Sequence, residues 1–236
     1  MTTFAVCLID LQRDFCDYWQ GALNVSGTDL NYINQVKNFT NYLRLKNYQI
    51  IFTADEHPED SETFTQNIYS KLIASHKYIA SPEITEDTKN SVVKWQDKNT
   101  QSFFYTWPKH CIKNTDGAKL VIEPAPTDKY FTKGEEIEAY SIVATAQSPI
   151  RHERIFNTRF LQAIEPFDTI IVYGLAIDFC VQDTIADLLS LTKNVILVYD
   201  LCKGIAHNAL ESSTLKLSKI AEAHKVKFES KSYCEI

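Results

Sequence analysis

No apolar run in this 236-residue sequence is long enough to span a bilayer, which needs about 20 consecutive apolar residues. The N-terminus, MTTFAVCLID, lacks a basic leader region and meets an aspartate after a short apolar run. It is expected to form a first strand and not a signal peptide. No CxxC pair occurs among the six cysteines, and their scatter provides no disulfide framework. A reducing, cytoplasmic setting is therefore expected, in which the thiols stay free. Excess positive charge is missing as well. Lysine and arginine number 24 against 30 aspartates and glutamates, and the net charge of -6 argues against nucleic acid or an anionic membrane as partner. Internal repeats and low-complexity tracts are also absent, which leaves an ordinary globule of 44% hydrophobic content.

What is present is an alternation of buried-strand runs and helical patterns. FAVCLI (4–9), QIIFTA (49–54), TIIVYG (169–174) and NVILVYD (194–200) carry no polar alternation, so each is expected to be covered on both faces. Tyr32, Val36, Phe39 and Leu43 fall on one helix face, as do Val181, Ile185, Leu188 and Leu189. A final helix carries Leu210, Leu217, Ile220 and Ala221 ahead of a last strand near VKF (226–228). Strand–helix–strand order implies right-handed parallel crossovers. The expected fold is a doubly wound α/β sandwich, a mostly parallel sheet with helices on both faces, in a single domain over 1–236. Residues from about 65 to 105 show no clean period. They read as an excursion from that domain, with a helix near 65–74 and a short strand at SVVKW (91–95).

Ligands of such sheets gather beyond the carboxyl ends of the strands. Two sets of polar residues sit there. In DEHP, Asp55 and His57 are two apart and project to the same side of an extended segment. With His110 of WPKHC they offer one oxygen and two nitrogen ligands, a set that suits zinc, iron or manganese with positions left for water or substrate. The alternative is a turn-capping aspartate and two surface histidines. The second set is Asp10, Lys133 and Cys180, each ending or following an apolar segment. A thiol ionises near pH 8.5 and needs help to react at neutrality. A carboxylate can take its proton, an ammonium can stabilise the anion, and a helix N-terminus adds a favourable dipole. Here the alternative is a cap, a solvated lysine and a packing thiol.

Five segments carry a resemblance to a known family: DLQRDFC (10–16), TADEHP (53–58), WPKHCIKNTDGAKL (107–120), KGEEIEAYS (133–141) and GLAIDFCVQDT (174–184). In that order they resemble the nicotinamidases and pyrazinamidases of the isochorismatase-like cysteine hydrolase superfamily. The resemblance implies an amidohydrolase that converts nicotinamide to nicotinate and ammonia through a cysteine thioester, in NAD salvage. It implies Asp10 as general base, Lys133 as catalytic lysine and Cys180 as nucleophile. Asp55, His57 and His110 would hold one divalent ion, zinc first, with iron and manganese as alternatives. Phe15, Trp107 and Tyr140 would line the substrate pocket, and the backbone N–H groups of Ala176 and Cys180 would form an oxyanion hole. A cis peptide between Leu175 and Ala176 is also implied. Expected partners are small molecules, nicotinamide and by extension pyrazinamide, with a homo-oligomer left open.

Three departures from the family pattern stand out. Glu56 occupies a position where tryptophan is usual, and Ser61 one where many relatives carry a further histidine, which leaves three protein ligands plus water, or Glu62 as an extra ligand. The interval from His57 to His110 is long, consistent with an insertion. His76, His152, His207 and His224 read as surface or satisfied histidines, and Asp178 as a support for the loop or a partner of arginine or backbone groups, not a reacting group. Other members of the superfamily, acting on another amide or on isochorismate, generally lack the metal triad. A non-catalytic metal-binding relative would have no use for an intact Asp10, Lys133 and Cys180.

Overall fold

The run FAVCLI forms β1 (Phe4–Ile9), from which five of six residues are fully buried. This is a computed structural model, and it describes residues 2–85, 87–135, 140–145 and 154–236. After β1 come α1 (Leu30–Leu45), β2 (Gln49–Asp55), α2 (Thr65–Ala74), β3 (Tyr78–Ser81), β4 (Val93–Asp97), β5 (Phe103–Thr106) and β6 (Lys129–Lys133). The second half contains β7 (Ala144–Thr145), β8 (Ile155–Phe156), α3 (Thr158–Ile164), β9 (Thr169–Leu175), α4 (Cys180–Ser190), β10 (Asn194–Lys203), α5 (Ala209–His224) and β11 (Phe228–Lys231).

Six strands form one parallel sheet in the order β11-β10-β9-β1-β2-β6. From β1 the chain winds outward to β2 and β6, then returns to β9 on the other side of β1 and winds outward to β10 and β11. Right-handed crossovers in opposite directions place α1 on one face and α4 and α5 on the other. The doubly wound α/β sandwich read from the sequence is the fold observed. Its topological switch point lies between β1 and β9, whose registers pair Ile9 with Gly174.

Each helix buries the stripe its spacing dictates. In α1 the buried face is Tyr32, Ile33, Val36, Phe39, Thr40 and Leu43, and Asp29 caps the first turn by accepting from Tyr32 N–H at 2.9 Å. The phenol of Tyr173 in β9 meets Thr40 Oγ1 at 2.9 Å, so this buried hydroxyl is satisfied by the helix above it. Val181, Ile185, Leu188 and Leu189 of α4 are all fully buried. The last strand starts at Phe228, two residues later than VKF suggested, and reads FESK. It pairs only with β10, and an edge strand needs no apolar run.

The excursion has a structure of its own. Helix α2 coincides with the expected 65–74, and the strand at SVVKW appears as β4, the centre of an antiparallel sheet β3-β4-β5. Ile68, Leu72, Val93 and Trp95 form a small core separate from the main one. Its two ends are pinned together: Thr65 N–H donates to Trp107 O at 2.8 Å, and Trp107 N–H to Thr63 O at 2.9 Å. Among the described residues, no helix is long and apolar enough to cross a membrane.

Candidate active site

Four adjacent strands deliver the polar residues singled out in the sequence. Across the sheet, β9, β1, β2 and β6 end at or lead into Cys180, Asp10, Asp55 and Lys133, in that order. Asp55 and Lys133 are register partners, which sets the lysine side chain beside the carboxylate. Lys133 Nζ lies 2.9 Å from Asp10 Oδ2, donates to Asp55 Oδ1, and reaches Cys180 Sγ at 3.5 Å. The ammonium and the Asp10 carboxylate are wholly shielded from solvent. Such a cation survives burial only because two carboxylates face it. Burial opposes its charge, but Asp10 and Asp55 together hold its pKa well above the usual lysine value.

Asp10 adopts a left-handed backbone, φ 48°, which turns its side chain under the sheet's end. Its Oδ1 accepts from Thr53 Oγ1 at 2.7 Å, while Oδ2 has no aligned hydrogen bond and faces the ammonium. Burial raises the carboxyl's pKa, and the lysine offsets only part of that. Burial likewise pushes the Cys180 thiol well above its usual value, and the two carboxylates add to it against the pull of Lys133. The resting thiol is therefore protonated, with a base of raised affinity for protons beside it. Cys180 is the first residue of α4, and Phe179 before it provides no side-chain cap. In the first turn Val181 N–H is taken by Ala176 O at 3.1 Å and Asp183 N–H by Phe179 O at 2.9 Å. The Cys180 N–H, at the helix N-terminus, has no intrahelical acceptor and favours an anion. The Leu175–Ala176 peptide is cis, as expected.

Asp55, His57 and His110 converge, their ligand atoms all lying within 4.8 Å of one another. His57 Nδ1 donates to Gly134 O at 3.2 Å and presents Nε2 3.7 Å from Asp55 Oδ2. His110 Nδ1 donates to Pro108 O at 2.8 Å. In both rings the carbonyl fixes the tautomer that leaves Nε2 as the ligand atom. Gly134, at φ 86°, is required here, since a Cβ would lie 2.6 Å from His57 Cε1. Burial and the neighbouring His57 bring His110 down to about 4, so the ring is neutral, as ligation demands. For Asp55, burial raises the pKa, but Lys133 and the two histidines outweigh it and keep the group ionised. The donor set thus fits a divalent ion: one carboxylate and two imidazoles, pre-oriented and buried. Glu62 is not part of it. Its carboxylate pairs with Lys71 Nζ at 2.8 Å, and Ser61 Oγ accepts from Thr63 N–H at 3.2 Å.

A cavity of about 240 Å³ opens over both clusters, small among ligand sites. Phe15, Trp107, Tyr140, Ala176 and Cys180 all line it. Phe179, Tyr105 and the Arg154–Asp187 pair, 2.6 Å apart, were not singled out. Phe179 sits edge-on to Trp107, with ring centroids 4.9 Å apart, and 5.2 Å from Tyr140. Trp107 Nε1 donates to the Tyr140 hydroxyl at 3.1 Å, which satisfies the indole in an apolar wall. Phe179 was legible in principle, as the residue before the thiol; Tyr105 and Arg154 carry no such signal. Asp178 partners backbone groups of the loop after β10, accepting from Ala206 N–H at 2.8 Å and Ile205 N–H at 3.1 Å. Residues 136–139 of the KGEEIEAYS segment and His152 lie outside the described residues.

The chain is 29% identical to the nicotinamidase of Escherichia coli (strain K12) over 205 residues, covering 85% of this chain and 83% of that protein. It is 25% identical to the nicotinamidase of Saccharomyces cerevisiae, covering 84% and 87%. Among solved structures, the pyrazinamidase of Pyrococcus horikoshii in complex with zinc superposes with a TM-score of 0.67 at 22% identity, covering 97% of this chain and 98% of that one. The yeast nicotinamidase bound to the inhibitor nicotinaldehyde gives 0.68 at 19% identity, covering 97% and 100%. Residues 4–223 match the isochorismatase domain, and with that match over most of its length the chain belongs to the isochorismatase family.

Proposed function

We propose that this protein is a nicotinamidase, a hydrolase that cleaves the carboxamide of nicotinamide to nicotinate and ammonia in NAD salvage. The observation that carries the reading is the Lys133 ammonium held between Asp10 and Cys180 beneath an aromatic cavity, with Asp55, His57 and His110 alongside. The similarity to nicotinamidases at 25–29% identity supports the same reading.

Cys180 Sγ attacks the carboxamide carbon while its proton passes to Asp10, where Oδ2 has an open lone pair. The oxyanion that forms is held by backbone N–H groups of Ala176 and Cys180. A donor of this kind is worth roughly 3–4 kcal/mol in the transition state. Asp10 returns the proton to the leaving nitrogen, the C–N bond breaks, and ammonia departs, leaving an acyl thioester on Cys180. Water then adds to the thioester carbon and gives a proton to Asp10. The C–S bond breaks as Asp10 passes that proton to the sulfur, restoring the thiol and releasing the acid, which ionises to the carboxylate. Lys133 keeps the carboxylates and the thiolate in one place through both halves. Trp107, Tyr140, Phe15 and Phe179 grip a flat ring and fix the carboxamide over the sulfur. Asp55, His57 and His110 would hold a divalent ion, zinc first, which would supply a Lewis-acid anchor for the substrate's ring nitrogen, directly or through its waters.

Ammonia release from nicotinamide tests the assignment. Wild-type protein supplied with Zn²⁺ should turn over, and Cys180→Ala should lose at least roughly a thousandfold in kcat. Wild-type rates in Cys180→Ala would sink the mechanism, and no turnover of nicotinamide by well-folded wild type would sink the substrate.

A further inference from the structure

The loop after β1 sends Asp10 toward the thiol, and two further polar residues at the same spacing point elsewhere. Gln12 is fully buried and clamps both backbone groups of Asp55. Its Nε2 donates to Asp55 O at 2.7 Å and to Ala118 O at 2.8 Å, and its Oε1 accepts from Asp55 N–H at 2.8 Å. Every hydrogen-bonding atom of the side-chain amide is thus committed to the strand end that carries Asp55 and to the segment across from it.

Asp14 does the corresponding work on the histidine side. Its Oδ2 accepts from Cys111 N–H at 2.7 Å, and its Oδ1 from Ala22 N–H at 3.2 Å. Gly117 packs directly onto this carboxylate, since a Cβ there would lie 2.1 Å from Oδ2. Cys111 follows His110 and has φ 46°, a strained left-handed conformation for a residue with a side chain. Its own carbonyl accepts from His57 N–H at 3.0 Å. Cys111, anchored through its N–H next to His110, therefore holds the backbone of His57 through its carbonyl.

We propose that Gln12 and Asp14 are positioning residues that pre-form the Asp55/His57/His110 cradle for a divalent cation. The inference rests on reading those three residues as a metal site. Neither side chain is a ligand: Gln12 fixes the Asp55 main chain, and Asp14 fixes the peptide between the two histidines' anchor points. Residues that orient ligands in this way typically contribute 10–100-fold to metal affinity.

The test is Zn²⁺ affinity, measured on chelator-stripped protein by competition with a chromogenic chelator and by the rise in Tm on adding Zn²⁺. Gln12→Met exchanges neutral for neutral, so a change in affinity cannot be a long-range charge effect. Asp14→Asn is isosteric and carries the test if Gln12→Met does not fold. We expect wild type to bind one Zn²⁺ and His57→Ala to lose it. Gln12→Met and Asp14→Asn should bind 10–100-fold more weakly, with a smaller Zn²⁺-induced rise in Tm than wild type. Wild-type affinity in the folded variants overturns the positioning role and leaves the metal site standing. Absence of binding by wild type, or wild-type binding by His57→Ala, overturns the metal site and this inference with it.

Discussion

The two sheets of this chain are built by opposite means. The six-stranded parallel sheet is buried on both faces by helices, and four of its strands converge on a small set of polar residues at one end. The antiparallel sheet β3-β4-β5 is short, has one helix and a four-residue core, and contributes a single ring, Tyr105, to the cavity. The first can hold Asp10, Lys133, Asp55 and Cys180 at fixed spacing because rigid strands set their positions. The second can shape the cavity wall without disturbing that chemistry, because it joins the body through the Thr63–Thr65 and Trp107 hydrogen bonds at its base. Chemistry sits in the frame, and adjustable surface is attached to it.

The largest effect expected from breaking this contrast comes from paired cavity mutants. Phe52→Ala removes a fully buried ring of β2, and Trp95→Ala a nearly fully buried one of β4. Truncating such a ring costs about 3–5 kcal/mol where the surroundings cannot relax. Phe52→Ala should therefore lower the unfolding free energy of the whole protein by that amount, read as a fall in the denaturant midpoint at unchanged m. Trp95→Ala should move the global midpoint much less, because the small sheet opens alone. Its mark should be protease cleavage between residues 78 and 106 under conditions where wild type is intact. Equal losses of global stability would show that the two sheets unfold as one unit.

The same contrast explains what the sequence discloses. β1, β2, β9 and β10 are apolar runs because both faces are covered, and they are legible without any structure. β3 and β5 are four residues each, half exposed, and follow Thr, Lys and aromatic residues that fit a loop equally well. Periodicity cannot be read over four positions. At the site, Asp10, Lys133 and Cys180 are far apart in sequence but end neighbouring strands, so the expected topology alone brings them to one place. Gln12 and Phe179 stand inside quoted motifs yet draw no notice, because an amide and a phenylalanine carry no obvious reactivity. Tyr105 and Arg154 reach the cavity through pairings of the inserted sheet and of β7 with β8, which local sequence does not encode.

A middle-sized effect is expected at Tyr105, the one ring the inserted sheet lends to the cavity. It packs 5.7 Å from both Trp107 and Phe179, edge-on to the latter. An aromatic pair of this geometry is worth about 0.5–1.5 kcal/mol beyond buried area. If the pocket holds nicotinamide as proposed, Tyr105→Leu should raise KM roughly 2–10-fold and leave kcat nearly unchanged, since the ring touches the binding wall and none of the reacting atoms. A fall in kcat with KM unchanged would mean that the insertion tunes the chemistry and does not merely bound the pocket.

The smallest effect should come from Glu62, which lies between the two regions and could in principle belong to either. It borders the cavity near His57, and a carboxylate there would be a natural fourth ligand. The geometry instead commits it to Lys71 of α2, at 2.8 Å, with both side chains about half exposed. An ion pair of that kind contributes roughly 0–1 kcal/mol and is screened by salt. Glu62→Gln should thus change Zn²⁺ affinity by less than about twofold and the melting temperature barely at all. A tenfold loss of Zn²⁺ affinity, with stability intact, would place Glu62 on the metal and make the inserted helix that anchors it part of the cradle. The frame would then no longer carry the chemistry alone.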